Sequence, residues 1–220
     1  NAIENISAIH PENGNLIWQL DLGSIDEMNN PWAYFTVNRG IVFDERTSKI
    51  FRATNQGVLE IDAESGELLH IYPDVDSSLA PIIHDNHLLI ATADDGMVSF
   101  NLETKEKAWH TPFIKGGFRG RVWSGFSFDA KSGLAFAVTG SSGGVQSLGR
   151  QEPNMQTSVI AVDAQSGEIK WTFQHIANDV WDLDLVGNPI ILDLEIEEED
   201  IRSVVVLSKT GEILLLNART

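Results

Sequence analysis

Three aspartates stand close together in segment 178–184, which reads Asn-Asp-Val-Trp-Asp-Leu-Asp. In an extended chain, side chains alternate between two faces, so Asp182 and Asp184 share one face and Trp181 takes the other. A carboxylate accepts protons and accepts hydrogen bonds from backbone amides. Residue types alone favour a solvated or capping carboxylate at Asp182 over a reactive one.

The sequence lacks the motifs of several common reactive sites. It has no cysteine, which excludes disulfides, thiolate metal sites and a cysteine nucleophile, and no Gly-x-Ser-x-Gly motif of a hydrolase. The Gly-rich segment 140–150 does not end in the Gly-Lys-Ser/Thr of a phosphate-binding loop. The acidic segment 195–200 lacks the spacing of an EF-hand, so we predict an exposed hairpin tip there.

Composition excludes further classes of function. The 220 residues carry a formal net charge of −17, which repels nucleic acid and anionic lipid. The 42% hydrophobic content is too high for a disordered acidic tail. No apolar run reaches the roughly 18 residues of a membrane-spanning helix. The composition therefore predicts an acidic globular chain without a membrane span.

A repeated phrase organises the elements that must position these side chains. It reads VIAVDAQSGEIKWTFQ at 159–174 and VLEIDAESGELLHIYP at 58–73, with a looser copy at 97–113. Partial copies stand at 10–20 and 213–220. The copies recur at intervals of roughly 40–60 residues, the scale of a four-stranded propeller blade. Apolar runs of 5–8 residues between the copies supply the other strands.

Each part of the phrase has a physical reason. The Asp or Asn closes a turn on nearby backbone amides, Gly supplies a positive φ, and Trp covers the neighbouring blade. We therefore predict an all-β chain forming a partial β-propeller of about four blades, a fragment of a longer propeller. We expect residues 1–220 to form one partial propeller domain, with blade-like units at approximately 1–30 (partial), 31–75, 76–115, 116–175 and 185–220 (partial).

The segments 158–194 and 204–217 resemble the dehydrogenases that depend on pyrroloquinoline quinone (PQQ), the quinoproteins. The family pattern reads Val-Ala-Leu-Asp, Thr-Gly, Trp-x-Phe-Gln and then His-Asp-x-Trp-Asp, followed by a strand that carries Lys-Thr-Gly. Here the corresponding stretches are Val-Ile-Ala-Val-Asp, Ser-Gly, Trp-Thr-Phe-Gln, Asn-Asp-Val-Trp-Asp and Lys-Thr-Gly. The resemblance implies a propeller of the quinoprotein dehydrogenase type.

The resemblance also implies site residues. Asp182 matches the general base that takes the substrate hydroxyl proton during hydride transfer to the quinone. Lys209 matches the cation that hydrogen-bonds the quinone oxygens, and Trp123 matches the indole on which the quinone ring stacks. Asp182, Lys209 and Trp123 are the expected catalytic and cofactor-binding residues.

The expected metal site departs from the family pattern. Ser141 stands where the family has an Asn ligand for Ca²⁺, and a hydroxyl is a poorer Ca²⁺ ligand than an amide carbonyl. Asp182 is the second candidate ligand, and Asp94 or Asp95 could replace an acidic ligand of the family. Asn178 replaces the family His. The resemblance implies PQQ as cofactor with Ca²⁺ beside it, and the replacement of the Asn ligand by Ser141 counts against Ca²⁺ binding.

Two functions remain open from the sequence. The first is PQQ-dependent oxidation of an alcohol, polyol or sugar in the periplasm, with a ubiquinone or cytochrome as electron acceptor, all implied by the resemblance. The second is a non-catalytic propeller with the same Trp repeats that acts as a binding or assembly scaffold in the cell envelope. Retention of Asp182, Lys209 and Trp123 in family order favours the enzyme.

Overall fold

A computed structural model of the chain describes residues 5–25, 39–93, 95–141, 154–177 and 179–220. In these ranges every regular element is a β-strand except one 3₁₀ turn at Leu22–Ser24. All strand pairs are antiparallel. The all-β prediction is confirmed. The described part of the chain contains no helix long and apolar enough to cross a membrane.

The chain divides into two compact units, Asn1–Pro81 and Ile82–Thr220. The first unit holds a two-stranded sheet, β1-β2, and a four-stranded sheet in the order β3-β4-β5-β6. The strands are β1 (Asn5–Ile9), β2 (Leu16–Asp21), β3 (Val42–Asp44), β4 (Lys49–Ala53), β5 (Gly57–Asp62) and β6 (Leu68–Pro73).

The second unit holds two four-stranded sheets, one three-stranded sheet and a short hairpin, β11-β12. Its first sheet contains β7 (Ile82–His84), β8 (His87–Ala91), β9 (Met97–Asn101) and β10 (Lys107–Thr111), and the hairpin contains β11 (Ile114–Lys115) and β12 (Phe118–Arg119). The next sheet contains β13 (Phe126–Asp129), β14 (Leu134–Val138), β15 (Ser158–Asp163) and β16 (Ile169–Gln174). The last contains β17 (Leu185–Ile196), β18 (Glu199–Ser208) and β19 (Ile213–Asn217).

Burial explains why the inner strands read as continuous apolar runs. Every residue of β14 is buried, and only the last residue of β15 is not. The outer strand β16 has no buried residue. Since inner strands are covered on both faces, their sequences lose the strict apolar-polar alternation of a half-buried strand. How the sheets group into the blade-like units given above stays a prediction.

The repeat residues close the turns as predicted. Asp62 Oδ1 accepts hydrogen bonds from the backbone amides of Glu64 (3.1 Å) and Ser65 (2.8 Å). Asn101, Asp163 and Asn217 make equivalent bonds in the turns that follow their own strands. In the three four-stranded sheets, Asp62, Asn101 and Asp163 fix the reversal of the chain between the third and fourth strands.

The repeat tryptophans fasten neighbouring sheets to one another. The indole of Trp18 donates to the carbonyl of Ala63 (2.9 Å), that of Trp109 to Ala164 (3.1 Å) and that of Trp171 to Ala218 (3.0 Å). In each case the acceptor directly follows the Asp or Asn of the next copy of the repeat. The predicted role of these tryptophans in covering a neighbouring sheet is thereby confirmed within each unit.

The repeat glycines let the tryptophans come close. Gly66 and Gly167 have φ values of +76°, which a left-handed turn requires. A β-carbon on Gly66 would lie 2.6 Å from the ring of Trp18, and one on Gly167 would lie 2.7 Å from the ring of Trp109. Any side chain at these positions would displace the indole.

An ion pair also joins β13 to β18. The guanidinium of Arg202 binds both carboxylate oxygens of buried Asp129, at 3.1 Å from Nε and 2.6 Å from Nη2. These hydrogen bonds from Arg202 outweigh the effect of burial and lower the pKa of Asp129 to about 2. Arg202 also contacts Asp193, which in turn pairs with Lys131.

Candidate functional site

A buried carboxylate shapes the turn that carries Asp182. Asp179 is 2% exposed, and its Oδ1 accepts hydrogen bonds from the amides of Trp181 (3.1 Å) and Leu183 (3.0 Å). Thr157 donates its hydroxyl to the other oxygen of Asp179 (3.2 Å). This turn holds Asp182 in a left-handed conformation with φ of +61°. The segment is therefore not extended, although its alternation of aspartates and apolar residues resembles a strand.

Lys209 connects two of the aspartates. It follows the end of β18, and its amide donates to the carbonyl of Asp184 (3.0 Å). Its ammonium donates to three oxygens: the carbonyl of Asp182 (3.0 Å), Oδ2 of Asp182 (3.0 Å) and Oδ2 of Asp184 (2.7 Å). Burial opposes the charge on Lys209, but the hydrogen bonds to Asp184 and Asp182 outweigh it and raise the pKa of Lys209.

Trp123 supplies an aromatic face beside this cation. It lies just before β13 and is half-buried. The ammonium of Lys209 lies 5.2 Å from the centroid of the Trp123 ring, within the range of a cation–π interaction. A β-carbon on Gly140 would come within 2.7 Å of Trp123 Nε1 and 2.5 Å of Asp184 Oδ1. The glycine at position 140 therefore gives the indole and the carboxylate the room they occupy.

Ser141 completes the cluster. Its amide donates to Oδ1 of Asp184 (2.8 Å), and its hydroxyl donates to Oδ1 of Asp182 over a longer distance (3.4 Å). Ser141 is itself 8% exposed. The side-chain carboxylates of Asp182 and Asp184 thus each contact both Lys209 and Ser141.

The structure brings together the four residues named from the sequence, Trp123, Ser141, Asp182 and Lys209, and adds Asp184 to them. The only earlier signal for Asp184 was that alternation placed it on the same face as Asp182. Asp95, a possible metal ligand, pairs instead with His110 (3.0 Å) and Arg119 (3.5 Å).

Two other positions named from the sequence, Asp94 and Asn178, lie outside the described residues. Within the described ranges, no group of three or more His, Cys, Asp or Glu side chains is arranged to hold a metal ion.

Comparison with known proteins places the chain in a family. Residues 104–220, just over half of the chain, match the model of the glucose/ethanol/alcohol dehydrogenase β-propeller domain. The chain belongs to the PQQ-dependent quinoprotein dehydrogenase family. Residues 2–111 match a related model, described as outer membrane protein assembly factor BamB. All the residues of the site lie in the part that matches the dehydrogenase model.

Individual quinoproteins agree with this assignment. Over 100 residues the chain is 27% identical to the quinoprotein glucose dehydrogenase of Escherichia coli (strain K12), a match covering 44% of this chain and 13% of that protein. It is 22% identical to the dehydrogenase subunit of the quinone-dependent alcohol dehydrogenase of Komagataeibacter europaeus, covering 98% of this chain and 36% of that protein.

A solved structure shows the fold. A europium-containing methanol dehydrogenase superposes with a TM-score of 0.81 at 19% identity, covering 98% of this chain and 46% of that one. The predicted β-propeller fold of the quinoprotein type is confirmed. The chain spans less than half the length of each of these three proteins.

Proposed function

We propose that this chain is part of a PQQ-dependent dehydrogenase that oxidises an alcohol, polyol or sugar. The observation that carries the proposal is the convergence of Asp182, Lys209 and Trp123. The Lys209 ammonium lies 3.0 Å from the Asp182 carboxylate and 5.2 Å from the Trp123 ring centroid. A proton acceptor, a cation and an aromatic face in one place are the groups that quinone-dependent oxidation of a hydroxyl requires.

The residues present fit PQQ. A flat tricyclic quinone needs an aromatic surface, which half-buried Trp123 offers, and a positive charge near its oxygens, which the Lys209 ammonium offers. The absence of a side chain at Gly140 lets the Trp123 indole and the Asp184 carboxylate lie side by side. When bound, PQQ would supply the acceptor for the hydride that leaves the substrate carbon, and this hydride carries both electrons of the oxidation.

A side chain of this protein, Asp182, would accept the proton of the substrate hydroxyl. The side chain of Asp182 is 62% exposed, so a substrate hydroxyl can approach it, and its carboxylate would accept the hydroxyl proton as the C–H bond breaks. Lys209 would keep its position during this step, because it also binds the carbonyl of Asp182 and the carboxylate of Asp184. A fixed cation stabilises negative charge as it develops without having to reorganise.

The described residues do not fit a Ca²⁺ site. Both carboxylate oxygens of Asp182 and both of Asp184 already face a donor on Lys209 or Ser141. A Ca²⁺ ion takes six to eight oxygen ligands, and the ammonium of Lys209 stands where these two carboxylates point. Asp182, Asp184 and Ser141 are therefore assigned no role as Ca²⁺ ligands.

Reconstitution of the full-length protein with PQQ tests the proposal. We expect reduction of an artificial electron acceptor with at least one member of a panel of alcohols, polyols and sugars. Asp182→Asn should lower turnover at least about a hundredfold, because general-base catalysis contributes on that order. Asp193→Asn is a matched control, since Asp193 is also an exposed, ion-paired carboxylate, and it should keep wild-type turnover. Equal turnover of Asp182→Asn and wild type would contradict the assigned base.

The alternative is a non-catalytic envelope scaffold, which the match of residues 2–111 to the BamB model favours. Titration of the full-length protein with PQQ, followed by tryptophan fluorescence, distinguishes the two functions. Saturable binding supports the dehydrogenase. The absence of binding, with and without Ca²⁺, supports the scaffold.

Location and electron acceptor follow the same proposal. We infer a periplasmic enzyme that passes electrons to ubiquinone or to a cytochrome, as the family resemblance implies. Steady-state assays of the reconstituted full-length protein with a short-chain ubiquinone and with a c-type cytochrome compare the two acceptors. Turnover with neither acceptor would contradict this part of the proposal.

A further inference from the structure

Asp184 is the most buried carboxylate that contacts Lys209. Asp184 is 4% exposed as a residue, whereas the side chain of Asp182 is 62% exposed. Each oxygen of the Asp184 carboxylate has its own donor: Oδ1 accepts the amide of Ser141 at 2.8 Å and Oδ2 accepts the ammonium of Lys209 at 2.7 Å. Its backbone carbonyl accepts the amide of Lys209 at 3.0 Å. Asp184 thus holds Lys209 at both the main chain and the end of the side chain.

The contact of Lys209 with Asp184 is the shorter of its two carboxylate contacts, 2.7 Å against 3.0 Å. A buried carboxylate with both oxygens bonded cannot move without breaking those bonds, whereas an exposed one can turn towards solvent or substrate. The Asp184 carboxylate and the Trp123 indole also both lie against the backbone of Gly140, since a β-carbon there would meet both of them. The position of the ammonium near Trp123 is therefore set from the buried side of the site.

We propose that Asp184 is a positioning residue, which fixes the Lys209 ammonium against Trp123, while the more exposed Asp182 carboxylate acts as the proton acceptor. The proposal rests on the proposed function. Its physical basis is that the two carboxylates that bind Lys209 have different roles. When Asp182 accepts a proton it loses its charge, and Asp184 then remains as the anionic partner that keeps Lys209 in place.

A purely structural carboxylate would have a different signature. Asp129 provides the comparison, because it is also buried, also binds one cation through a charge-assisted contact, and also lies in the second unit. Loss of either carboxylate should lower the melting temperature. Only loss of Asp184 should change how the protein binds and uses PQQ.

The test is a double-mutant cycle in the full-length protein, with PQQ affinity and turnover at saturating PQQ as separate readouts. We expect Asp184→Asn to weaken PQQ binding and to lower turnover by roughly tenfold or more each, as removal of a supporting partner behind a functional group does. Asp129→Asn should leave both within about twofold while lowering the melting temperature. In a Lys209→Ala background, Asp184→Asn should add little further loss, because Asp184 acts through Lys209.

Conservative replacement gives a further readout. Asp184→Glu keeps the charge on a longer side chain and should recover part of the PQQ affinity that Asp184→Asn loses. Suppose that the wild-type protein binds and uses PQQ, but the effects of Asp184→Asn and Lys209→Ala are additive. The positioning role is then wrong, while the proposed function stands. Failure of the wild-type protein to bind PQQ would overturn both this proposal and the proposed function.

Discussion

The glycine that receives Trp109 allows a quantitative test of how the sheets are fastened together. Gly167 has φ of +76°, and a β-carbon there would lie 2.7 Å from two atoms of the Trp109 ring. Alanine in a left-handed conformation costs about 1–2 kcal/mol. Displacing the indole costs about 1–3 kcal/mol more through overpacking, and it puts the Trp109–Ala164 hydrogen bond at risk. We predict that Gly167→Ala lowers the free energy of unfolding by about 2–5 kcal/mol.

Gly133 offers a matched control for the backbone contribution. It has a similar φ of +72°, and a β-carbon there would meet nothing within 4 Å. Gly133→Ala should therefore cost only the backbone contribution, about 1–2 kcal/mol. Urea-induced unfolding followed by tryptophan fluorescence and by far-UV circular dichroism measures both variants against wild type. If both variants lose the same free energy, the contact with Trp109 contributes nothing and the argument is wrong.

Two further predictions concern the second unit. The pKa of Asp129, lowered to about 2 by Arg202, implies stabilisation that is fully present above the unfolded value of 3.8 and is lost as the pH falls towards 2. Asp129→Asn should therefore lower the free energy of unfolding by about 2 kcal/mol at pH 7. In urea titrations at lower pH, the difference in this free energy between the variant and wild type should shrink between about pH 4 and pH 2. A difference that does not change with pH would contradict this reasoning. At the hairpin tip between β17 and β18, Glu197 and Glu198 both have positive φ, +54° and +68°. Glu198→Gly should raise the free energy of unfolding by about 0.5–1 kcal/mol, measured by thermal unfolding, because glycine adopts a positive φ without steric cost. The control Glu195→Gly, within β17, should lower it. A loss of stability in Glu198→Gly would show that the tip carries no strain.

The turns and their tryptophans could be predicted because their chemistry is local or repeats. Asp163 bonds amides two and three residues ahead, so its role is visible in a few letters of sequence. Trp171 contacts a residue 47 positions away, yet the recurrence of the phrase indicated that such a residue covers a neighbouring sheet. The acidic hairpin tip was also predicted, because its charges leave no place for it in a core.

The arrangement of the candidate site was harder to predict. The resemblance named Asp182, Lys209 and Trp123, and the structure brings them together, while their roles stay predictions. Alternation placed Asp184 beside Asp182 on the assumption of an extended chain, but Asp182 is left-handed at φ +61°. The two carboxylates converge through Lys209, which lies 25 residues beyond Asp184. Neither the turn geometry nor this long-range contact leaves a periodic signal in the sequence.

The tryptophan contacts have a consequence for how such a protein is made and how its repeat number can change. Each indole binds a carbonyl further along the chain, at separations of 45, 55 and 47 residues. During synthesis a tryptophan is therefore made well before its acceptor. Its hydrogen bond to the neighbouring sheet can form only after the next copy of the repeat has been translated. Because each such bond reaches only the following copy of the repeat, a copy gained or lost by recombination would leave the remaining bonds intact. A change in repeat number would keep these local bonds, but it would also change the number of blades that must close into the propeller.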